Sequence, residues 1–235
     1  MIKAVLLDFY GTLAYDTIDF NATWNAYYLF LKSQFNALAD YQTYLAALQK
    51  TIEWAKYMRE IRLHEVTFYQ FHSRVLSTLN IPSSRKILDA LFSIYLKHKD
   101  IYFYQNVEHI LEKLKHEGYK VGLISNANSL LPFMKLKEKG LNTYFDKICI
   151  SSELGIRKPH PYIFKCALES LQVTPNETVM VGDHFKLDIF GAKRLGMKAI
   201  LIRRTEKSKI HDKKYSPDAI IDDISQLFVA LKNLD

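Results

Sequence analysis

The chain opens with a short apolar run that ends in a carboxylate. Residues 2–8 read IKAVLLD, and Gly11 and Thr12 follow shortly after Asp8. A continuous apolar run of this length is typical of a strand that is buried on both faces of a parallel sheet. We therefore predict an interior strand that presents Asp8 at its carboxyl end.

The pattern changes between Asp16 and about Lys99. Glycine is absent from this stretch and proline occurs once, at Pro82, so few residues interrupt a helix. Apolar and aromatic side chains recur here at the spacing of one helix face. The first of these recurring residues are Trp24, Tyr27, Tyr28 and Leu31. We predict several packed helices in this stretch.

After residue 100, strand-like apolar runs alternate with amphipathic stretches. The predicted strands are 119–125, 146–153, 177–183, 198–204 and 219–223. The predicted helices are 106–118, 129–140, 160–173, 185–196 and 223–234. This alternation predicts an α/β fold with a doubly wound, mainly parallel sheet that helices cover on both faces. In such sheets, ligands bind at the carboxyl ends of the strands.

The change of pattern at both ends of the helical stretch predicts two domains. We assign residues 1–14 and 96–235 to the α/β core domain. Residues 15–95 form a helical domain that is inserted after the first strand. The length of the chain, 235 residues, is sufficient for one sizeable core with such an insert.

The composition excludes several other classes of protein. Hydrophobic residues make up 49% and charged residues 24% of the chain, as in folded globular proteins. No apolar run reaches about 18 residues, so we predict no membrane span and no membrane partner. The N-terminus lacks a basic and then apolar leader, which predicts no signal peptide and a cytoplasmic location. Cys149 and Cys166 lie in no CxxC or Cys/His cluster, so we interpret both as buried core residues rather than as zinc ligands or a disulfide framework.

The net charge of +7 narrows the choice of partners. A basic surface raises the local concentration of anions and so favours a small anionic substrate. The positive charges are dispersed, and even the densest stretch, 203–214, contains Glu206 and Asp212. We therefore interpret this stretch as a solvated loop and predict no nucleic-acid partner. The sequence does not indicate the oligomeric state.

Residues with reactive side chains follow several of the predicted strands. They are Asp8, Ser125 with Asn126, Lys158, and Gly182 with Asp183. Because the carboxyl ends of parallel strands meet at one edge of a sheet, these residues are expected to lie close together. The predicted site therefore combines two carboxylates, a hydroxyl and an ammonium group.

The order of these residues resembles the haloacid dehalogenase-like hydrolase superfamily. The resembling motifs are Asp8-Phe9-Tyr10-Gly11-Thr12, Ser125-Asn126, Lys158-Pro159, and Gly182-Asp183 with Asp188. The resemblance extends over residues 1–14 and about 100–225. Residues 16–95 match only as the kind of helical cap that one subclass inserts after the first strand. Such a cap is expected to close over Asp8, exclude water and select the substrate.

The resemblance implies catalytic roles for these residues. Asp8 is the nucleophile, which attacks phosphorus or carbon and forms a covalent ester that water then cleaves. Thr12 and Ser125 donate hydrogen bonds to the transferred group. Lys158 holds Asp8 and offsets the charge of an approaching anion. Asn126 is placed with the substrate-binding residues, with shaping of the turn after the strand as the alternative.

A metal site is also implied by the resemblance. Mg²⁺ is expected to be held by the carboxylates of Asp8 and Asp183 and by the backbone carbonyl of Tyr10, because this ion prefers hard oxygen ligands. Asp188 is expected beside these ligands, where it orients either a metal-bound water or Lys158.

Tyr10 makes the reaction ambiguous. In the phosphatases that the chain resembles, this position is an Asp that protonates the departing alkoxide and later activates water, a role worth about 10²–10⁴-fold in rate. In the L-2-haloacid dehalogenases it is a Tyr, because halide leaves as a stable anion without a proton. Tyr10 therefore favours a metal-free 2-haloacid dehalogenase.

The last motif favours a phosphatase. Asp183 and Phe185 stand where the dehalogenases carry Ser and Asn, and a second carboxylate beside Asp8 requires a cation between them. Phe164 replaces an aromatic hydroxyl that the dehalogenases use. They also use an arginine near the start of the cap, but this chain has none before Arg59. Later candidates for that arginine are Arg59, Arg62 and Arg74.

We therefore predict a hydrolase that acts through an aspartyl intermediate, with Mg²⁺-dependent hydrolysis of a phosphorylated small molecule as the leading hypothesis. With Tyr10, this enzyme would prefer good leaving groups, or leave proton transfer to water or to a neighbour such as His184. The alternatives are a metal-free 2-haloacid dehalogenase and a weakly catalytic protein that binds a ligand or a protein partner.

Overall fold

A computed structural model describes residues 1–35, 38, 40–204, 208–209 and 212–234. The chain forms two compact units. One comprises Met1–Tyr15 and Tyr102–Asp235, and we call it the core unit. The other comprises Asp16–Ile101, and we call it the helical unit. The sequence assigned residues 96–101 to the core, whereas the structure includes these six residues in the helical unit. Part of the 203–214 stretch, including Glu206, lies outside the described residues.

Two sheets contain the described strands. The strands are β1 (Ala4–Leu7), β2 (Ala14–Ile18), β3 (Lys99–Phe103), β4 (Lys120–Ser125), β5 (Lys147–Ile150), β6 (Thr178–Gly182), β7 (Lys198–Ile202) and β8 (Ala219–Ile221). Six of them form one sheet in the order β5-β4-β1-β6-β7-β8, and every neighbouring pair is parallel. The chain winds outwards from β1 in both directions, which confirms the doubly wound α/β fold.

Helices connect the strands of the large sheet. In the core unit they are α5 (Val107–His116), α6 (Leu131–Glu138), α7 (Ser151–Leu154), α8 (Pro161–Leu171), α9 (Phe190–Lys193) and α10 (Leu227–Lys232). A π-helical turn, Phe185–Ile189, leads into α9. Single 3₁₀ turns occur at Leu141–Tyr144, Pro175–Glu177, Lys213–Tyr215 and Ile224–Gln226.

The apolar sequence of β1 explains its central position. All four of its side chains are buried, as expected for a strand with neighbours on both sides and helices on both faces. Gly122 on β4 allows close packing here, because a Cβ at that position would lie 2.5 Å from the Leu6 side chain. The register pairs Leu7 with Leu123 of β4 and with Val181 of β6, so the three strands end at the same level.

The described residues of the helical unit form four helices. They are α1 (Phe20–Gln34), α2 (Tyr41–Glu60), α3 (Phe68–Thr78) and α4 (Arg85–Lys97). Each begins at a residue whose side chain accepts a hydrogen bond from a backbone N–H of the first turn. These N-cap residues are Asp19, Asp40, Thr67 and Ser84. Their apolar faces form a separate core, which includes Tyr27, Leu48, Leu76 and Leu91.

The structure differs from the sequence-based expectations in three respects. The insert begins and ends in strands, β2 and β3, which form a two-stranded sheet that the helical pattern did not indicate. The predicted strand 146–153 ends at Ile150, and its polar end forms α7. Cys149 is buried as expected, but Cys166 is only half-buried.

Among the described residues, no helix is long and apolar enough to cross a membrane.

Candidate active site

The sheet order brings the predicted site residues to one edge of the core unit. Because β1 lies between β4 and β6, Asp8, Ser125 and Asp183 stand at the carboxyl ends of three adjacent strands. The Asp8 backbone N–H donates to the carbonyl of Val181 at 3.0 Å, which extends the register of β1 and β6 to the site. Asp8 and Asp183 are almost completely buried, with exposed fractions of 7% and 5%.

The ammonium group of Lys158 lies among three oxygen atoms. Its Nζ is 2.6 Å from Asp8 Oδ1, 2.7 Å from Asp188 Oδ1 and 2.7 Å from the backbone carbonyl of Ile124. Burial alone would lower the pKa of Lys158, but Asp188 and Asp8 raise it above its ordinary value. Lys158 is therefore a fixed positive charge, which donates hydrogen bonds to Asp8 and to the Ile124 carbonyl and forms an ion pair with Asp188.

Three carboxylates surround this single cation. One oxygen atom each from Asp8, Asp183 and Asp188 lies within 4.8 Å of the others. Burial raises the pKa of Asp8 to about 7, Lys158 opposes this rise, and the charges of Asp188 and Asp183 add to it. When all three carboxylates are ionised, one ammonium cannot neutralise them, so the cluster favours a further cation.

Two glycines allow the carboxylates to approach the backbone. A Cβ at Gly11 would lie 2.3 Å from Asp183 Oδ2, and the φ of Gly11 is +81°. A Cβ at Gly182 would lie 2.4 Å from Asp188 Cγ. Any side chain at either position would therefore displace a carboxylate of the cluster.

Two buried hydroxyls lie at the same edge of the sheet. Thr12 and Ser125 are both fully buried. Within the described part of the chain, neither Thr12 Oγ1 nor Ser125 Oγ has a hydrogen-bond partner. A buried hydroxyl without a partner is costly, so both groups are suited to donate to a bound ligand.

Asn126 bonds to the backbone of the lysine. Its Oδ1 accepts from the Lys158 N–H at 2.8 Å, and its Nδ2 donates to the Lys158 carbonyl at 3.1 Å. The next residue, Ala127, bonds through its N–H and carbonyl to the Ser151 hydroxyl, at 2.9 and 3.1 Å. The turn after β4 thus determines where the backbone of Lys158 lies.

Two further contacts hold the segments that carry the acidic residues. The Ser208 hydroxyl lies 2.8 Å from the carbonyl of Asp183 and 3.1 Å from that of Ile202, so it links the segments after β6 and β7. Asp188 Oδ2 accepts from the backbone N–H of His184 at 3.0 Å. This second contact lies within the π-helical turn, which brings Asp188 back towards the end of β6.

Tyr10 lies in the turn that follows Asp8. It is half-buried, and its ring packs edge-on against Phe9 with the ring centroids 4.9 Å apart. The carbonyl of Phe9 accepts from the N–H groups of Leu13 and Ala14 at 2.8 and 2.9 Å, which closes the turn. The phenol of Tyr10 therefore extends from a hydrogen-bonded turn.

The sequence missed the residues that support the site through the backbone. Ser151 and Ser208 belong to no recognisable motif, and the carbonyl of Ile124 has no signature at all. For Asn126 a signal existed, because a polar amide directly after a buried strand has to satisfy backbone groups of the turn. The sequence does not indicate that Asn126 bonds to the backbone of Lys158, which is seen only in the structure.

Comparison with known proteins identifies the class to which this fold and site belong. Residues 2–196 match the family described as haloacid dehalogenase-like hydrolase. The chain belongs to this family and is a hydrolase.

Three relatives show the range of the family. The chain is 36% identical to a glyceraldehyde 3-phosphate phosphatase of Methanothermobacter thermautotrophicus, over 97% of this chain and 98% of the relative. The structure of a 2-haloacid dehalogenase from Pseudomonas syringae pv. Tomato matches with a TM-score of 0.72 and 25% identity, and both chains are fully covered. That of a HAD phosphatase from Thermococcus onnurineus matches with a TM-score of 0.61 and 26% identity, over 99% of each chain.

Proposed function

We propose that the protein is a Mg²⁺-dependent phosphatase of phosphorylated small molecules that acts through a phosphoaspartyl intermediate on Asp8. The observation that carries this proposal is the buried cluster of Asp8, Asp183 and Asp188 around one lysine. The Methanothermobacter relative supports phosphate as the product, because it is named a glyceraldehyde 3-phosphate phosphatase.

The oxygen atoms of the cluster suit magnesium. Carboxylate oxygens are hard ligands, and the excess of negative charge over Lys158 favours a divalent cation. Asp8 and Asp183 would hold the ion together with the carbonyl of Tyr10. Asp188 forms an ion pair with Lys158 and accepts a hydrogen bond from the His184 N–H, so we assign it to positioning the lysine. The bound ion would keep Asp8 ionised and offset the charge of the phosphoryl group.

Asp8 is suited to attack phosphorus because its position is fixed. Lys158 holds one carboxylate oxygen at 2.6 Å, which leaves the other for the nucleophilic attack. Thr12 and Ser125 donate their free hydroxyl protons to the phosphoryl oxygens, and these bonds remove the cost of the two unpartnered buried groups. Asn126 would act indirectly, because it holds the backbone of Lys158.

Tyr10 determines which substrates react fast. A phenol is in general a much weaker proton donor than a carboxylic acid. The departing group therefore leaves largely as an anion, which is easy for a phenolate, a carboxylate or a phosphate and difficult for an alkoxide. We infer that the enzyme prefers activated phosphate esters and anhydrides.

Dehalogenation is the second candidate because of Tyr10, but several contacts weigh against it. Phe164, which stands in place of an aromatic hydroxyl, is fully buried in the core and packs against Gly191. Arg59 bonds to Glu65 at 2.9 Å and to the carbonyl of Val66 at 2.7 Å. Arg74 lies over the ring of Trp54, 4.4 Å from its centroid. Two of the three candidate arginines, Arg59 and Arg74, are therefore engaged within the helical unit.

The helical unit, Asp16–Ile101, is the proposed substrate-selecting domain. It is inserted between β1 and β4, the strands that carry Asp8 and Ser125, and both of its ends lie in the β2–β3 sheet. Closure of this unit over Asp8 stays a prediction, and so does the role of its aromatic residues in choosing the substrate.

Release of phosphate from p-nitrophenyl phosphate tests the proposal. We expect turnover with Mg²⁺ and its loss after treatment with EDTA. Asp8→Asn should abolish turnover, whereas the matched variant Asp89→Asn on the surface of α4 should not. Halide release from L-2-chloropropionate in EDTA, without phosphate release in Mg²⁺, would establish the dehalogenase instead. Neither activity in the wild type would overturn both enzyme assignments.

A further inference from the structure

The two cysteines of the chain lie in contact although they are 17 positions apart. The Sγ atoms of Cys149 and Cys166 are 3.8 Å apart, and both are free thiols. Cys149 is on β5 and Cys166 is on α8, which packs against the sheet. No other cysteine occurs in the sequence, so any thiol chemistry of this protein belongs to this pair.

The two sulfur atoms differ in their surroundings. Cys149 belongs to the apolar core beneath α8 and is 2% exposed, whereas Cys166 is half-buried at the edge of that core. Burial and the neighbouring Cys166 raise the pKa of the Cys149 thiol to about 12. Cys166 is therefore the sulfur atom that a reagent in solution reaches first.

We propose that Cys149 and Cys166 are an oxidation site at which a small-molecule disulfide closes an intramolecular bridge between β5 and α8. A bridge requires the two sulfur atoms to approach to about 2.05 Å, and the packing of the helix on the strand already places them in contact at 3.8 Å. The inference is independent of the proposed phosphatase activity, because neither sulfur atom contacts the carboxylates of the site.

The reaction balances with oxidised glutathione as the oxidant. The Cys166 thiol loses its proton, and its sulfur attacks one sulfur of the glutathione disulfide, which releases one glutathione as a thiolate. Cys149 then loses its proton and attacks Cys166 Sγ, which releases the second glutathione. Two S–H bonds are thus broken, one S–S bond forms in the protein, and the two electrons reduce the oxidant to two molecules of glutathione.

The bridge closes a loop that contains the catalytic lysine. Residues 149–166 include Ser151, which bonds to Ala127, and Lys158. Cross-linking the two ends of this loop removes conformations of the unfolded chain, so the oxidised protein should resist unfolding better than the reduced one. The reacting groups of the active site remain unchanged.

Thiol counting and mass spectrometry on the full-length protein test the proposal. After incubation of the native protein with oxidised glutathione, we expect two free thiols to fall to none, with loss of the mass of two hydrogen atoms. The unfolding midpoint should rise by roughly 5 °C and return after reduction by dithiothreitol.

Two single variants separate the bridge from other products. In Cys149→Ala, glutathione should remain attached to Cys166, and the unfolding midpoint should not rise. In Cys166→Ala, Cys149 should stay unmodified because it is buried. A wild-type protein that keeps both thiols, retains a glutathione adduct or forms cross-linked dimers would overturn the proposal. An unchanged midpoint after bridge formation would overturn the stabilising role.

Discussion

Lys158 Nζ lies 2.6 Å from Asp8 Oδ1, although 150 positions separate the two residues in the chain. The same nitrogen atom donates to the carbonyl of Ile124 and forms an ion pair with Asp188 at 2.7 Å, so three oxygen atoms of the protein surround the ammonium group. Lys158 thereby joins Asp8, at the end of β1, to Asp188, in the π-helical turn after β6. Both carboxylates depend on the positive charge of Lys158.

Replacement of Lys158 by Met should destabilise the folded protein as well as abolish catalysis. The buried carboxylates of Asp8 and Asp188 lose their cation, a change that typically costs about 3–5 kcal/mol. Without the cation the Asp8 pKa rises further above 7, so the loss of stability should grow as pH increases from about 5 to 8.

Urea unfolding without metal at the two pH values measures this effect. Lys165→Met on the exposed side of α8 is the matched control and should unfold as the wild type does. An equal loss of stability at pH 5 and pH 8 would contradict the assignment of the effect to the buried charges.

Asp183→Asn should abolish the stabilisation of the protein by magnesium. At a Mg²⁺ concentration about 100 times its dissociation constant, binding adds about 2.7 kcal/mol to the free energy of unfolding, which corresponds to a rise in the unfolding midpoint of roughly 5 °C or more. The variant lacks one charged ligand, so its midpoint should respond little.

Thermal melts with Mg²⁺ and with EDTA provide this measurement without turnover. Asp222→Asn serves as the control, because Asp222 is an exposed partner of Arg203. A wild-type midpoint that is the same in Mg²⁺ and in EDTA would count against the proposed metal site.

Tyr10→Asp should increase hydrolysis of alkyl phosphates far more than that of aryl phosphates. A carboxyl group at this position would protonate the departing alkoxide, which is worth about 10²-fold or more, whereas p-nitrophenolate departs without a proton. The ratio of kcat/KM for glycerol 3-phosphate to that for p-nitrophenyl phosphate is the measured quantity.

Tyr10→Phe is the control for this ratio, because it keeps the ring and removes the hydroxyl. We expect the ratio to be unchanged in this variant. A large fall in Tyr10→Phe would show that the phenol itself donates the proton, and an unchanged ratio in Tyr10→Asp would argue against leaving-group protonation as the limit.

His72 should make the helical unit sensitive to acid. Its imidazole is buried between the rings of Tyr27 and Phe68, and burial lowers its pKa from 6.5 to about 3. Since the unfolded chain binds the proton more readily, stability is retained above pH 6.5 and lost as pH falls towards 3. Between pH 7 and 5 the loss is roughly 2 kcal/mol.

Unfolding of His72→Phe and of the wild type at these two pH values checks the effect. The variant should lose less stability on acidification, and the difference between the two proteins isolates His72 from the other titrating groups. His64→Gln, which changes an exposed histidine of the same unit, should follow the wild type. Identical losses in all three proteins would exclude His72 as the cause.

The sequence predicted the large sheet well because its strands are short apolar runs between amphipathic helices. It did not predict β2 and β3, because strands about 80 residues apart pair through contacts that leave no local periodicity. The predicted end of β5 was wrong for a different reason. Ser151–Leu154 contains polar residues that extend a strand in the linear pattern but form one turn of helix here.

The residue types at the site were predictable, but their connections were not. Asp8, Ser125 and Asp183 follow from the rule that ligands bind at the carboxyl edge of a parallel sheet. Lys158 contacts Asp8, Asp188 and a backbone carbonyl at once. This arrangement depends on the position of the loop before α8. The Asn126 amide fixes that position through two hydrogen bonds, and a linear pattern contains no information about such a contact.

The central position of β1 has a consequence for the synthesis of the protein. Asp8 is translated 180 positions before its indirect partner Asp188, and the neighbouring strand β6 also follows β1 late in the chain, so the site cannot assemble until both have been made. Until then β1 has an unpaired edge, which is a template for aggregation. A nascent chain that stalls before residue 178 is therefore both inactive and prone to aggregate. We expect the chain to depend most on chaperones while this part is being synthesised.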